Sequence, residues 1–189
     1  MFCEIATASV IQWPIAIGGN DHWYEVVYAG SAGVTWTSAR DAAVARGGYL
    51  ASITSAAENE FVYNLVPSDS KYWIPDGWGH VNGPWLGGYQ YDKHAEPSGD
   101  WTWASGERFA YTNWYAEEPN NLDGHEDYVS FFGTSSLNGL KWNDQSNTPR
   151  MGIVSGCVVE YVPEPSSFVL LFIAAASLFT YAWRRRQAA

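Results

Sequence analysis

Apolar and polar positions follow two different periods along this chain. His22 to Tyr28 (His-Trp-Tyr-Glu-Val-Val-Tyr) is dense in aromatic and β-branched residues and predicts a strand. Thr35 stands where it can cap a helix over Trp36–Arg46, which Gly47-Gly48 would end. Ser55-Ala56-Ala57-Glu58 has capping-box spacing and opens a second helix toward Leu65, with Ala57, Phe61 and Leu65 on one face. From Lys71 to Asp144 no helical period persists. Short aromatic runs (Trp85-Leu86-Gly87-Gly88-Tyr89, Trp101-Thr102-Trp103, Asp127 to Phe132, Leu140 to Trp142) alternate there with Gly, Pro, Asn and Asp turns. A last strand is predicted over Cys157 to Val162. Two helices followed by a long looped β region make an α+β domain over residues 21–162, with 1–20 as an N-terminal segment. No internal repeat is visible.

The C-terminal boundary is the sharpest. Val162-Pro163-Glu164-Pro165 breaks the last strand, and Ser166 to Trp183 is an apolar run of 18 residues without a charge. As a helix it would be about 27 Å long, near the thickness of a bilayer core. Arg184, Arg185 and Arg186 follow at once, and positive charge beside an apolar span stays cytoplasmic, so the domain is expected to face outward on a transmembrane helix. Residues 163–189 resemble the PEP-CTERM protein-sorting signal of Gram-negative and related bacteria. That signal joins a Pro-Glu-Pro motif (here Pro163, Glu164 and Pro165) to a hydrophobic helix and a terminal arginine cluster. The resemblance implies export, transient anchoring and cleavage near the motif by an exosortase. Met1-Phe2-Cys3-Glu4 lacks the basic and apolar regions of a signal peptide. Either the true start lies upstream, which is the favoured reading, or the tail is the chain's one membrane signal.

Composition and charge narrow the function. The chain has 189 residues, 11 Trp and 12 Tyr, and only 16% charged residues. These suit a compact, loop-rich fold. The net charge is −10, and three arginines and one glutamate lie in 163–189, so the remainder carries −12. Such a body repels phosphates, which argues against nucleic acid as a partner and leaves divalent cations or plain solubility as its meaning. The two cysteines, Cys3 and Cys157, make neither a disulfide framework nor a zinc site, and Cys157 in its apolar run reads as a small buried hydrophobe.

Residues 21–162 resemble the C-type-lectin-like domain in its long form. The matching pieces come in order: an initial strand, a helix ending in Gly47-Gly48-Tyr49-Leu50-Ala51-Ser52-Ile53, a second helix, and Pro84-Trp85-Leu86-Gly87 where the family has Trp-Ile-Gly-Leu. Trp101-x-Trp103, Ser105-Gly106-Glu107 and Tyr111-Thr112-Asn113-Trp114 follow. Then come Glu118-Pro119-Asn120, Glu126-Asp127, Trp142-Asn143-Asp144 and Val159-Glu160-Tyr161. The fold so implied has two helices, small antiparallel sheets and a long looped binding region. The family's two disulfides are missing: their positions correspond to Val44, Tyr128, Asn147 and Val159. Val44 against Val159 is expected to replace one bridge by apolar contact, at a loss of a few kcal/mol. Nothing evident replaces the other.

The resemblance also implies a calcium site. Calcium takes six to eight oxygen ligands at about 2.3–2.6 Å. The family draws them from residues matching Glu118, Asn120, Glu126, Asn143 and Asp144. Pro119 is expected to follow a cis peptide that aims its neighbours at the metal. The same carboxylates accept from sugar hydroxyls while Asn120 and Asn143 donate to them, and Glu-Pro-Asn implies mannose- or glucose-type sugars. A second calcium would draw on Asn121 and Asp127, with Asp92 or Glu96. Most of the Trp and Tyr residues read as core, with no stacking platform that can be assigned.

Two other readings compete with a calcium-dependent, surface or exopolysaccharide-associated lectin. One is a lectin-like scaffold for protein or matrix contacts, with calcium structural or absent. The other is an enzyme, but the chain holds no Gly-x-Ser-x-Gly, His-Glu-x-x-His or phosphate loop, and His22, His80, His94 and His125 lack metal-ligand spacing.

Overall fold

The computed structural model describes residues 9–91, 95–134, 137–148 and 153–163. The apolar run 166–183, Glu164, Pro165, the three arginines, Cys3 and Asp92 lie outside them. Among the described residues no helix is long and apolar enough to cross a membrane.

The elements in order are β1 (Ile11–Gln12), β2 (Trp23–Tyr28), α1 (Trp36–Ala45), β3 (Tyr49–Leu50), α2 (Ala56–Leu65), β4 (Ile74–Pro75), β5 (His80–Gln90), β6 (Trp101–Trp103), β7 (Tyr128–Thr134), β8 (Leu137–Gln145) and β9 (Gly156–Tyr161). β2 lies antiparallel to β9, from Trp23 opposite Tyr161 to Tyr28 opposite Gly156, so the two ends of the domain are adjacent. The helices form as their caps predict. Thr35 Oγ1 accepts from the Ser38 amide and Ser55 Oγ from the Glu58 amide.

The β region differs from the small sheets expected. One connected sheet runs β1-β2-β9-β5-β7-β8, with β3 on β9 and with β4 and β6 on β5. Its spine, β5, is 11 residues long, and the Trp85-Leu86-Gly87-Gly88-Tyr89 run is only its second half. Periodicity hid this strand because its residues are buried on both faces from Val81 to Gly88. Gly87 departs from a plain strand residue for a packing reason: an added Cβ would lie 2.3 Å from the Leu50 carbonyl oxygen.

Helix α2 corrects a second expectation. Its inward residues are Glu58, Asn59 and Val62, not Ala57, which is exposed, while Phe61 and Leu65 pack at the edge of the core. Two polar side chains go inside because partners meet them there. Asn59 Nδ2 donates to the Leu140 carbonyl at 2.8 Å, and Trp142 Nε1 donates to Asn59 Oδ1 at 2.7 Å.

The missing bridges are replaced differently from the expectation. Val44 is 57% exposed, and the α1 residues buried in the cluster with Val159 are Trp36, Ala39 and Ala43. At the second bridge Tyr128 packs at a tilt on Trp36, with ring centroids 4.7 Å apart. Asn147 accepts through Oδ1 from the Thr37 amide at 3.0 Å and through its carbonyl from the Trp36 amide at 3.3 Å. Both former cysteine positions are thus tied to the start of α1. Cys157 is buried in the same apolar cluster, as its neighbours predict.

Candidate functional site

Trp142 is the anchor of the site. It is fully buried, with the edges or faces of Trp103, Tyr111 and Trp114 within 5.7 Å of its ring. Its backbone holds a second segment: the Trp142 amide donates to the Asn113 carbonyl at 3.0 Å, and the Tyr115 amide donates to the Trp142 carbonyl at 2.8 Å. The chain 113–115 therefore runs beside β8 and delivers the loop 116–127 to Asn143 and Asp144.

That loop is held in an unusual shape. The Glu118–Pro119 peptide is cis, and Glu117, Asn121 and Asp123 have φ of 70°, 49° and 60°. Left-handed non-glycine residues concentrate at ligand sites, although Asn and Asp tolerate the conformation. Asp144 closes the loop. Its two carboxylate oxygens accept from the Asn120 amide at 3.1 Å and the Asn121 amide at 2.8 Å. The Leu122 amide donates to Glu126 Oε2 at 3.0 Å, and the Glu126 amide donates to Asn121 Oδ1 at 3.1 Å.

The result is one side of a cleft of about 580 Å³, lined here by Glu118, Asn120, Glu126 and Asn143, with Asp144 buried behind them. Glu118 Oε2 and Asn143 Oδ1 are buried without a hydrogen-bond partner in the protein. Burial pushes the Glu118 carboxyl up to about 8, helped by a hydrogen bond to Asp144 and by the charges of Asp144 and Glu126. Burial also raises Asp144. Crowded carboxylates that cannot all ionise, beside orphaned amide and carboxyl oxygens, make a donor set suited to a hard cation. Among the described residues no three acidic, histidine or cysteine side chains meet around one point. Asp144 and Glu126 are instead turned onto backbone amides of the loop they flank.

The residues suggested for a second ion are divided. Glu96 is raised by burial and by the nearby charge of Asp127, so those two come together. They do not line the cleft, whereas Asn121 belongs to the first cluster through its bond from Glu126.

The other side of the cleft was not legible in the sequence. Asp76, Trp78, His80, Asn82, Tyr115 and Phe132 line it, brought there by the β4–β5 hairpin, the start of the long loop and β7. Trp78 is 71% exposed, so the aromatic residues are not all core. The Asp-Gly-Trp-Gly-His run was its available signal, an indole set between two turn glycines.

Comparison with known proteins agrees with this architecture. Residues 32–154 match the family described as Lectin C-type domain, and residues 162–186 match the PEP-CTERM protein-sorting motif. A perlucin-like protein from Mytilus galloprovincialis is 33% identical over 124 residues, which are 65% of this chain and 69% of that protein. Ladderlectin from Oncorhynchus mykiss is 32% identical over 58% of this chain and 50% of its own length. The crystal structure of the C-type lectin CEL-I from Cucumaria echinata superposes with a TM-score of 0.56 at 26% identity, covering 77% of this chain and 93% of that one.

Proposed function

The chain belongs to the C-type lectin domain family and carries a PEP-CTERM sorting motif, and from that footing we propose that it is an exported, surface or exopolysaccharide-associated protein that binds carbohydrate through calcium. The family and the relatives matched are carbohydrate-binding proteins rather than enzymes. In this reading Glu118, Asn120, Glu126, Asn143 and Asp144 hold the ion, and the first four also bond the sugar. The ion supplies positive charge to the carboxylates and polarises vicinal hydroxyls of the sugar. Mannose- or glucose-type sugars follow from Glu118 and Asn120, whose acceptor and donor suit hydroxyls of that geometry. Glu96 and Asp127 are the residues through which a second ion would bind.

The observation that carries the reading is the pair of partnerless buried oxygens, Glu118 Oε2 and Asn143 Oδ1, on the wall of the cleft. A buried polar atom without a partner costs about 1–3 kcal/mol, and a cation placed there would remove that cost. One observation favours the scaffold reading: Asp144 already spends both oxygens on the Asn120 and Asn121 amides, which pins the loop without metal.

Thermal melts of the full chain in mild detergent, with calcium and with chelator, separate these. Calcium at 100 times its dissociation constant should add about 2.7 kcal/mol of stability. Equal melting temperatures would sink the calcium site. A glycan array with and without calcium then tests the sugar, and Asn120→Asp should abolish binding while leaving the metal-dependent melt in place.

A further inference from the structure

Trp78 is presented with unusual care for an exposed indole. It sits at the tip of the β4–β5 hairpin between Gly77 and Gly79, which have φ of 90° and 99°, values open to glycine at little cost. Asp76 locks the tip. Its Oδ1 accepts from the Trp78 amide at 2.7 Å and from the His80 amide at 3.1 Å, and its Oδ2 lies 3.2 Å from His80 Nδ1. His80 in turn stacks on Phe132, with centroids 5.1 Å apart, and meets Tyr115 edge-on at 5.7 Å; Tyr115 meets Phe132 edge-on at 5.3 Å. The backbone of the hairpin tip and the rings of His80 and Tyr115 are therefore held in place, with the Trp78 indole 71% exposed beside them. An aromatic ring already fixed in place binds without paying to order itself.

The cleft holds more than the cation cluster needs. Its volume of about 580 Å³ lies within the range of roughly 300–1,000 Å³ typical of ligand pockets. Asp76, Glu117, Glu118, Asp123 and Glu126 line it, and among the described residues no Lys or Arg does. One divalent ion leaves that wall negative, so an anionic ligand would be repelled.

We propose that Trp78, with His80 and Tyr115, forms a second sugar subsite in the same cleft as the carboxylate–amide cluster, so that the ligand is a neutral oligosaccharide and not a lone monosaccharide. The inference rests on the lectin reading above and adds to it the length and the charge of the ligand. The Trp78 face stacks on the apolar face of the pyranose adjoining the one held at Glu118, Asn120, Glu126 and Asn143. The acidic wall discriminates against uronic-acid and sulfated chains.

Calorimetric titration of the full chain in calcium tests this, with methyl α-mannoside and methyl α-glucoside set against the corresponding α-linked di- and trisaccharides. The oligosaccharides should bind about tenfold more tightly, which is the scale of one good aromatic contact. Trp78→Ala should erase that advantage while monosaccharide affinity and the calcium-dependent melt stay as in the unaltered protein. Trp78→Phe should keep most of it. A sulfated oligosaccharide of equal length should bind at least about tenfold more weakly than its neutral counterpart. Equal affinity for short and long sugars, or an advantage that survives Trp78→Ala, overturns the subsite while leaving the lectin reading intact. Equal binding of the sulfated chain overturns the claim of a neutral ligand. Absence of calcium-dependent binding to any sugar overturns the lectin reading itself, and the subsite with it.

Discussion

Two clusters of carboxylates in this molecule have opposite surroundings. In the interior, Glu58 accepts from Tyr24 Oη at 2.5 Å, Asn20 Nδ2 at 2.9 Å, the Thr54 amide at 2.7 Å and Thr54 Oγ1 at 2.6 Å. Glu160 accepts from the Ser52 amide at 2.9 Å and pairs with His22 Nδ1 at 2.5 Å. In the cleft, Asp144 and Glu126 bond loop amides, but Glu118 and Asn143 each keep an oxygen with no partner. A satisfied cluster is a structural element that ties α2 and β9 to β2. An unsatisfied one is where a charged ligand lowers the free energy of the whole site. The comparison separates acids that hold the fold from acids available for binding: Glu58 and Glu160 are fully buried, whereas Glu118 and Glu126 are half-buried at the cleft.

The largest effect should come from the interior. Glu160→Ala strips His22 and the Ser52 amide of their acceptor and should cost about 3–5 kcal/mol, the scale for breaking a buried pair. That is a fall of about 10 °C in melting temperature, read by circular dichroism, with or without calcium. If the loss were recovered by added calcium, the two clusters would not be independent.

A smaller effect should separate them through pH. Glu118 has its carboxyl raised to about 8 by burial and by Asp144 and Glu126, so below that pH it carries a proton that an incoming cation must displace. Calcium affinity should therefore rise with pH, by up to about tenfold per unit, and level off above about 8. Titrations in buffers of different ionisation enthalpy would count the released proton. Glu118→Gln should flatten the profile, and a steep profile in that variant would move the proton to another group.

The smallest effect should come from His22. Its hydrogen bond to Glu160 outweighs burial and raises its imidazole above the ordinary 6.5. A raised histidine contributes stability that is complete below 6.5 and is lost as pH rises through the raised value. Glu160 is itself raised by burial, which acts in the same direction, since its ionisation becomes a cost as pH increases. Melting temperature should therefore decline from mildly acid to mildly alkaline pH, and His22→Gln should flatten part of that slope, with about 1 kcal/mol at stake. An unchanged slope would show that His22 does not sense Glu160.

The helices and the first and last long strands were legible because their signals are local. Thr35 and Ser55 bond the amides three residues on, and β2 and β9 are runs of aromatic and β-branched residues. The motif residues of the cleft could be named because Glu118-Pro119-Asn120 and Trp142-Asn143-Asp144 are contiguous. Other features were illegible because their causes lie far away in the chain. Glu58 and Asn59 face inward on account of Tyr24, Leu140 and Trp142. Val44 turns outward because Ala43 is the smaller residue that fits against β9. Asn147 ties to α1 across a separation of 110 residues.

The order of elements, the acidity of the body, the boundary at Pro163 and the identity of the motif residues were thus determined by the sequence alone, through short-range capping, periodicity and charge. Tertiary structure alone decided which acids are satisfied and which are not, since hydrogen-bond partners are a property of three-dimensional neighbours. It alone brought the Trp78 hairpin and Glu118 to one cleft, because residues about 40 positions apart line it together only through tertiary packing.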